Sequence, residues 1–107
     1  MLTTIHSRSF RATDLSLLVR EETAWMERYF VELLRARWTF ERDRGEVVAR
    51  CELHAPSGYF VGEGRAIDLT TAAALATDKA VRWQRRNKRI SRRRRHDEPR
   101  GLNALRH

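Results

Sequence analysis

Apolar residues along this chain change their spacing three times, and each change separates strand from helix. Leu2-Thr3-Thr4-Ile5-His6-Ser7, extended to Phe10, is rich in β-formers and predicts a first strand. From Asp14 to about Leu34 the apolar positions are Leu15, Leu18, Val19, Trp25, Met26, Tyr29, Phe30, Leu33 and Leu34. That is the three-and-four spacing of a core-facing helix, with Thr13 or Asp14 available to cap it. On this pattern Trp25, Tyr29 and Phe30 are core residues. The period then drops to two. Trp38 and Phe40 share a face within Ala36–Arg42, and Val47, Ala49, Cys51, Leu53 and Ala55 share one within Glu46–Ala55. Asp43-Arg44-Gly45 and Pro56-Ser57-Gly58 are turn signals around the middle strand. Tyr59 to about Arg65 predicts the last strand, in which Gly62 and Gly64 mark a weak stretch or a bulge.

Asp68 caps a final helix expected to run to about Arg95. Its apolar stripe is Leu69, Ala72, Ala73, Ala76, Ala80 and Trp83, continuing to Asn87 and Ile90. Small side chains dominate its first half, so this helix can lie close on a sheet. Beyond Ile90 nothing apolar remains to anchor it, and the tip from Arg92 to Arg95 is expected to project from the body or fray. The element order is β-α-β-β-β-α. The first two strands flank a helix and predict a right-handed parallel crossover, and the rest predicts an antiparallel meander. The expected fold class is α/β: a two-layer sandwich with a four-stranded mixed sheet and two helices on one face.

A chain of 107 residues makes one domain with a modest core. Charge changes the picture more than size does. The net charge is +8, but residues 1–78 carry ten basic and twelve acidic side chains, whereas residues 79–107 carry twelve basic and two acidic. Between Lys79 and Arg95 stand ten cations and no acid. At 100° per residue Lys79, Arg82, Arg86, Arg89 and Arg93 fall on one stripe beside the apolar seam, and Arg85, Lys88 and Arg92 on a second. Cations about 5 Å apart along a helix match phosphates lined along a groove. Eight of the ten are arginine, whose planar fork suits phosphate contacts and base stacking. A membrane surface is a poor partner, because the apolar side of this helix is alanine-rich and lacks bulky anchors.

Other chemistry finds little support. His6, His54, His96 and His107 are scattered without metal-ligand spacing, so neither a metal site nor a catalytic set is expected. Gly62-Glu63-Gly64 is followed by Ile67 where a dinucleotide loop needs its third glycine. No cofactor, no small-molecule substrate and no enzymatic activity are expected. Cys51 is alone, which excludes an intrachain disulfide and fits a reduced, cytoplasmic setting. No signal peptide is visible in Met1–Phe10, and no apolar run approaches the length of a membrane span.

The order of elements resembles the bacterial ribosome hibernation promoting factors, also called ribosome-associated inhibitor A or sigma-54 modulation proteins. The likeness rests on a last helix opening Asp68-Leu69-Thr70-Thr71-Ala72 and running through Asp78-Lys79-Ala80-Val81-Arg82. Trp25-Met26-Glu27-Arg28-Tyr29-Phe30 is similar to the end of that family's first helix, and Gly58–Gly64 sits where the family has its last strand. The resemblance covers residues 1 to about 92. It implies a single hibernation-factor-like domain, taken as 1–95, and a short form without the second domain of longer members; with Pro99 and Gly101 in it, 96–107 is expected to be a disordered tail. It implies a cytoplasmic translation inhibitor that binds 16S rRNA of the small ribosomal subunit in the mRNA and tRNA channel, promoting hibernation in stationary phase or stress. The implied RNA-binding residues are Lys79, Arg82, Arg85, Arg86, Lys88 and Arg89, with Arg28 from the first helix and Arg92 and Arg93 extending the surface. Glu21, Glu22 and Trp25 stand where the family has lysines, so the first helix is expected to contribute less. Whether a separate ribosome-dimerising factor takes part is left open. The competing reading is a general double-stranded RNA-binding module acting outside the ribosome, although such domains place their lysines at the start of the last helix, a segment that carries none here.

Overall fold

A computed structural model describes residues 2–30 and 32–97, with side chains described as far as Arg85. The elements are β1 (Leu2–Ser7), α1 (Ala12–Met26), β2 (Arg35–Asp43), β3 (Glu46–Ala55), β4 (Gly58–Ala66) and α2 (Leu69–Asp97). The sheet order is β1-β2-β3-β4. β1 runs parallel to β2, with Ile5 opposite Trp38, and the other pairs are antiparallel, with Phe40 opposite Ala49 and Cys51 opposite Gly62. This is the expected two-layer α/β sandwich.

The meander forms as its turn residues dictate. Arg44 and Gly45 both have positive φ, 54° and 81°, which is the backbone a two-residue hairpin needs to match the strand twist. Pro56 and Ser57 form the second two-residue turn, between the paired residues Ala55 and Gly58. The alternation predicted for β2 and β3 holds. Ala36, Trp38, Phe40, Val47, Ala49, Cys51, Leu53 and Phe60 are buried under the helices, together with Leu15, Val19 and Met26 of α1.

Burial gives the Cys51 thiol its character. Its Sγ lies 3.6 Å from the carbonyl of Ala76, and desolvation pushes its pKa up to about 12. The native protein should therefore resist iodoacetamide at pH 8 and react fully in denaturant. Rapid labelling of the folded chain would contradict the packing of α2 on β3.

Three boundaries differ from expectation. β1 ends at Ser7 rather than Phe10, because the Ser7 Oγ accepts from the N–H groups of Ser9 and Phe10 and turns the chain. α1 starts without a side-chain cap at Arg11, and Asp14 sits in its first turn instead of capping it. α1 also stops at Met26, well short of Leu34. The crossover must return beside β1, where the Leu2 N–H bonds the Leu34 carbonyl at 3.1 Å. A 15-residue helix is about 22 Å long, close to the length of β1, and running on to Leu34 would overshoot by about 12 Å.

Two aromatic assignments change as well. Phe30 is buried as expected, but Trp25 is 39% exposed and Trp83 is 52% exposed. Trp25 stands 100° around α1 from Met26, outside the stripe of Leu15, Val19, Thr23 and Met26 that faces the sheet.

β4 carries no bulge: its register with β3 is continuous from Val47–Ala66 to Ala55–Gly58. Gly62 and Gly64 serve a different purpose, as the close approach of α2 shows. A Cβ on Gly62 would run into the Ala76 carbonyl oxygen and lie 2.7 Å from the Ala80 nitrogen. One on Gly64 would lie 2.6 Å from the Leu75 Cβ and 2.7 Å from the Ala76 nitrogen. The strand has no side chains there because the helix backbone occupies their place.

Candidate nucleic-acid interface

α2 is fixed at its start and along its underside. The Asp68 carboxylate accepts from the Thr71 N–H at 2.9 Å and from the Thr71 hydroxyl at 3.1 Å, the N-cap that its position predicted. The backbone N–H bond, then the hydroxyl, holds the Asp68 carboxyl below its ordinary pKa. The stability this cap contributes is fully present above the usual aspartate range and is lost as pH falls below that range through the lowered pKa of the folded state. Ala72, Ala76 and Ala80 then lie on β4, and Ala73, Thr77, Val81 and Gln84 form a second buried row beside them. Gln84 is the last buried side chain described. The backbone stays helical through Asp97, and the expected projection of the basic tip lies outside the described side chains. Residues 98–107, most of the expected tail, lie outside the described residues.

The arc of α2 left free by this docking holds the cations. Lys79, Arg82 and Arg85 are exposed, and Arg28 is exposed in the turn that follows α1. Arg82 pairs with Asp78 one turn earlier. Among the described residues Lys79, Arg85 and Arg28 enter no ion pair. Arg86, Lys88, Arg89, Arg92 and Arg93 stand in the helical backbone of α2, and their side chains lie outside the described residues.

Arg85 of α2 comes close to the turn that follows α1. The Arg85 guanidinium carbon lies 6.0 Å from the centroid of the Tyr29 ring, and the Trp25 ring lies 4.8 Å from that of Tyr29. The apolar pattern placed both aromatics in the core; Tyr29 does pack against it, partly buried, but Trp25 was missed as surface. The usable signal was the angular offset of Trp25 from Met26. α1 itself also carries Glu21, Glu22 and Glu27, so positive potential concentrates on α2.

The opposite face of the sheet offers less to a polyanion. Arg50 pairs with Glu52 and Glu63, and Arg65 pairs with Asp43 at 2.7 Å and Glu46 at 3.3 Å. The Tyr59 hydroxyl donates to Glu52 at 2.8 Å and holds that carboxyl below its ordinary pKa. These arginines already have carboxylate partners, whereas among the described residues Lys79 and Arg85 have none.

A groove of about 410 Å³ between β1 and α1 is lined by Thr3, Ile5, Ser16, Val19, Arg20, Thr23, Ala24 and Glu27. It gathers no set of catalytic groups. Among the described residues no cluster of three or more His, Cys, Asp or Glu could hold a metal, and no helix is long and apolar enough to cross a membrane.

Asp78 limits the interface from within. The Asp78→Asn variant should bind a polyanion about two- to fivefold more tightly at low salt, because it frees Arg82 and removes a carboxylate facing the phosphates. Filter binding to RNA at low and high salt checks this, and equal affinity at low salt would contradict it.

No family model and no curated protein matches this sequence. Solved structures do. The chain is similar to the N-terminal domain of Protein Y from Thermus thermophilus, at 26% identity and a TM-score of 0.66, over 84% of this chain and 99% of that one. It is also similar in fold to a ribosomal subunit interface protein from Coxiella burnetii, at 12% identity and a TM-score of 0.70, over 83% of this chain and 99% of that one. Both neighbours belong to the hibernation-promoting-factor family, and the chain bears out in three dimensions the resemblance to that family read from its residues.

Proposed function

We propose that this chain is a ribosome-associated translation inhibitor. It binds the rRNA of the small subunit in the channel used by mRNA and tRNA, acts in the cytoplasm, and promotes ribosome hibernation in stationary phase or stress. The reading rests on one observation: an acid-poor cationic helix is laid on the scaffold of a 26%-identical domain, across almost that domain's whole length. The Coxiella neighbour, described as a ribosomal subunit interface protein, supports the same partner.

The mechanism is steric and electrostatic, with no catalysis and no cofactor. Lys79, Arg82, Arg85, Arg86, Lys88 and Arg89 meet phosphates of structured RNA, with Arg28 joining from the end of α1 and Arg92 and Arg93 extending the row. Each contact releases a condensed counterion, so affinity falls steeply with salt. The sandwich then fills space that mRNA and the anticodon ends need. Translation of a reporter mRNA by purified ribosomes tests this. Added protein should stop initiation, and mRNA bound beforehand should delay the inhibition. Inhibition indifferent to prior mRNA loading would overturn the channel assignment.

A further inference from the structure

We propose that Trp25 and Tyr29, flanked by Arg85 and Arg28, form a stacking site for one unpaired RNA base at the edge of the cationic surface. The inference rests on the RNA-binding reading above and specifies what the α1 end of that surface recognises.

Four observations carry it. First, Trp25 is 39% exposed, and its ring stands on that of Tyr29 at 4.8 Å with a 48° tilt. Second, the pair is supported from below and held by its backbone. Tyr29 packs against the core, the Tyr29 N–H donates to the Met26 carbonyl at 2.9 Å, and the Arg28 N–H donates to the Trp25 carbonyl at 3.2 Å. Third, Arg85 of α2 stands over the Tyr29 ring, which places a phosphate-binding cation beside the aromatic pair. Fourth, Glu21 and Glu22 precede Trp25 by one helical turn, and Glu27 follows in the next. These carboxylates make the exposed face of Trp25 itself a poor seat for phosphate, which is left to Arg28 and Arg85 on either side. A group that approaches Trp25 from a polyanion bound along α2 must therefore be uncharged and flat, and an RNA base out of its stack meets both conditions. Aromatic side chains hold such bases through their π-faces, whichever base is offered.

The site therefore divides its labour. α2 and Arg28 take phosphates, and the aromatic pair Trp25 and Tyr29 takes a base. A continuous duplex keeps its bases stacked inside and cannot use Trp25, so the preferred ligand has a bulge, loop or single strand next to a phosphate row.

The test uses the full chain with a short adenosine oligonucleotide and its abasic counterpart, which has the same phosphates without bases. Trp25→Ala should lose about fivefold to a hundredfold in affinity for the adenosine strand, and Trp25→Phe should retain most of it. Neither should alter binding of the abasic strand or the slope of affinity against salt. Arg85→Gln should lower that slope by about one. Circular dichroism checks that the exposed substitutions leave the fold intact. The proposal is overturned if Trp25→Ala binds the adenosine strand as wild type does, or if it loses the abasic strand equally. Competition by polyglutamate that depends on Trp25 would give the site to an acidic protein and overturn it too. The two readings fail separately. If Trp25→Ala changes nothing while loss of the α2 cations releases ribosomes, only stacking is wrong. If the oligonucleotide result holds but the wild type does not bind ribosomes, the ribosomal reading is the one that falls.

Discussion

Replacing Arg82, Arg86 and Arg89 together with glutamate should abolish binding to ribosomes while leaving the folded domain intact. All three stand in α2, and Arg82 is exposed. The change moves the net charge from +8 to +2 and puts three carboxylates among the remaining cations of the helix. Each reversal removes one phosphate contact and adds one repulsion. Mutual repulsion of phosphate and carboxylate is screened only over about 8 Å at physiological salt, so neighbouring contacts weaken as well. A protein with six or more phosphate contacts loses about a thousandfold or more in affinity on a few-fold rise in salt alone, and losing half of those contacts is at least as severe. The helix itself should survive, because its docking rests on Ala72, Ala76 and Ala80 and glutamate is a good helix former. Sedimentation with ribosomes, paired with circular dichroism, separates the effects. A folded triple variant that still pellets would show that α2 is not the interface.

The second large effect concerns the fold. Gly62→Ala should lower the unfolding free energy by about 3 kcal/mol or more, at the upper end of the usual penalty for overpacking. The added methyl would meet helix backbone, the Ala76 carbonyl and the Ala80 nitrogen, and not a flexible side chain that could swing aside. α2 must lift from β4, and that exposes the small apolar residues that hold it. Gly45→Ala is the control. No atom lies within 4 Å of the added methyl there, and only its positive φ of 81° opposes the change, at about 1 kcal/mol. Urea denaturation with a common m-value gives both numbers. Equal destabilisation of the two variants would contradict the contact between α2 and β4. Because the cationic stripe is carried by α2, under the proposed function Gly62→Ala should also weaken RNA binding as α2 lifts.

The sheet was legible in the sequence because its signals are local. Val47, Ala49, Cys51 and Leu53 alternate with polar residues, and a slip of one position would turn every one of them to water. Asp68 read correctly as a cap because the oxygen it offers and the N–H it meets are three residues apart. Two of the misreadings depend on a partner distant in the chain. Nothing near Met26 announces the end of α1; the position of Leu2, which must bond Leu34, sets it. Gly62 and Gly64 looked like weak points in a strand, and only the path of α2 shows that the strand needs them bare. Trp25 was a local misreading: it stands 100° from Met26, outside the buried stripe, and lies at the surface beside Tyr29.

The cationic stripe was legible in outline, since ten cations without an acid need no tertiary information to be noticed. The pairing of Arg82 with Asp78 and the meeting of Arg85 with Tyr29 were not, because they depend on how the helix is rotated and on what stands beside it. These contacts separate three kinds of cation on one helix: one held by a neighbouring carboxylate, one placed over an aromatic ring, and others such as Lys79 that face solvent.

Sedimentation of the wild-type chain with small ribosomal subunits, across a salt series and against excess random duplex RNA, tests the central claim most directly. The account predicts that the protein pellets with the subunits at low salt despite the duplex competitor and is released steeply as salt rises. Equal partition between subunits and duplex would contradict a ribosomal function and make the chain a general RNA binder. Failure to pellet at low salt without competitor would contradict the account altogether.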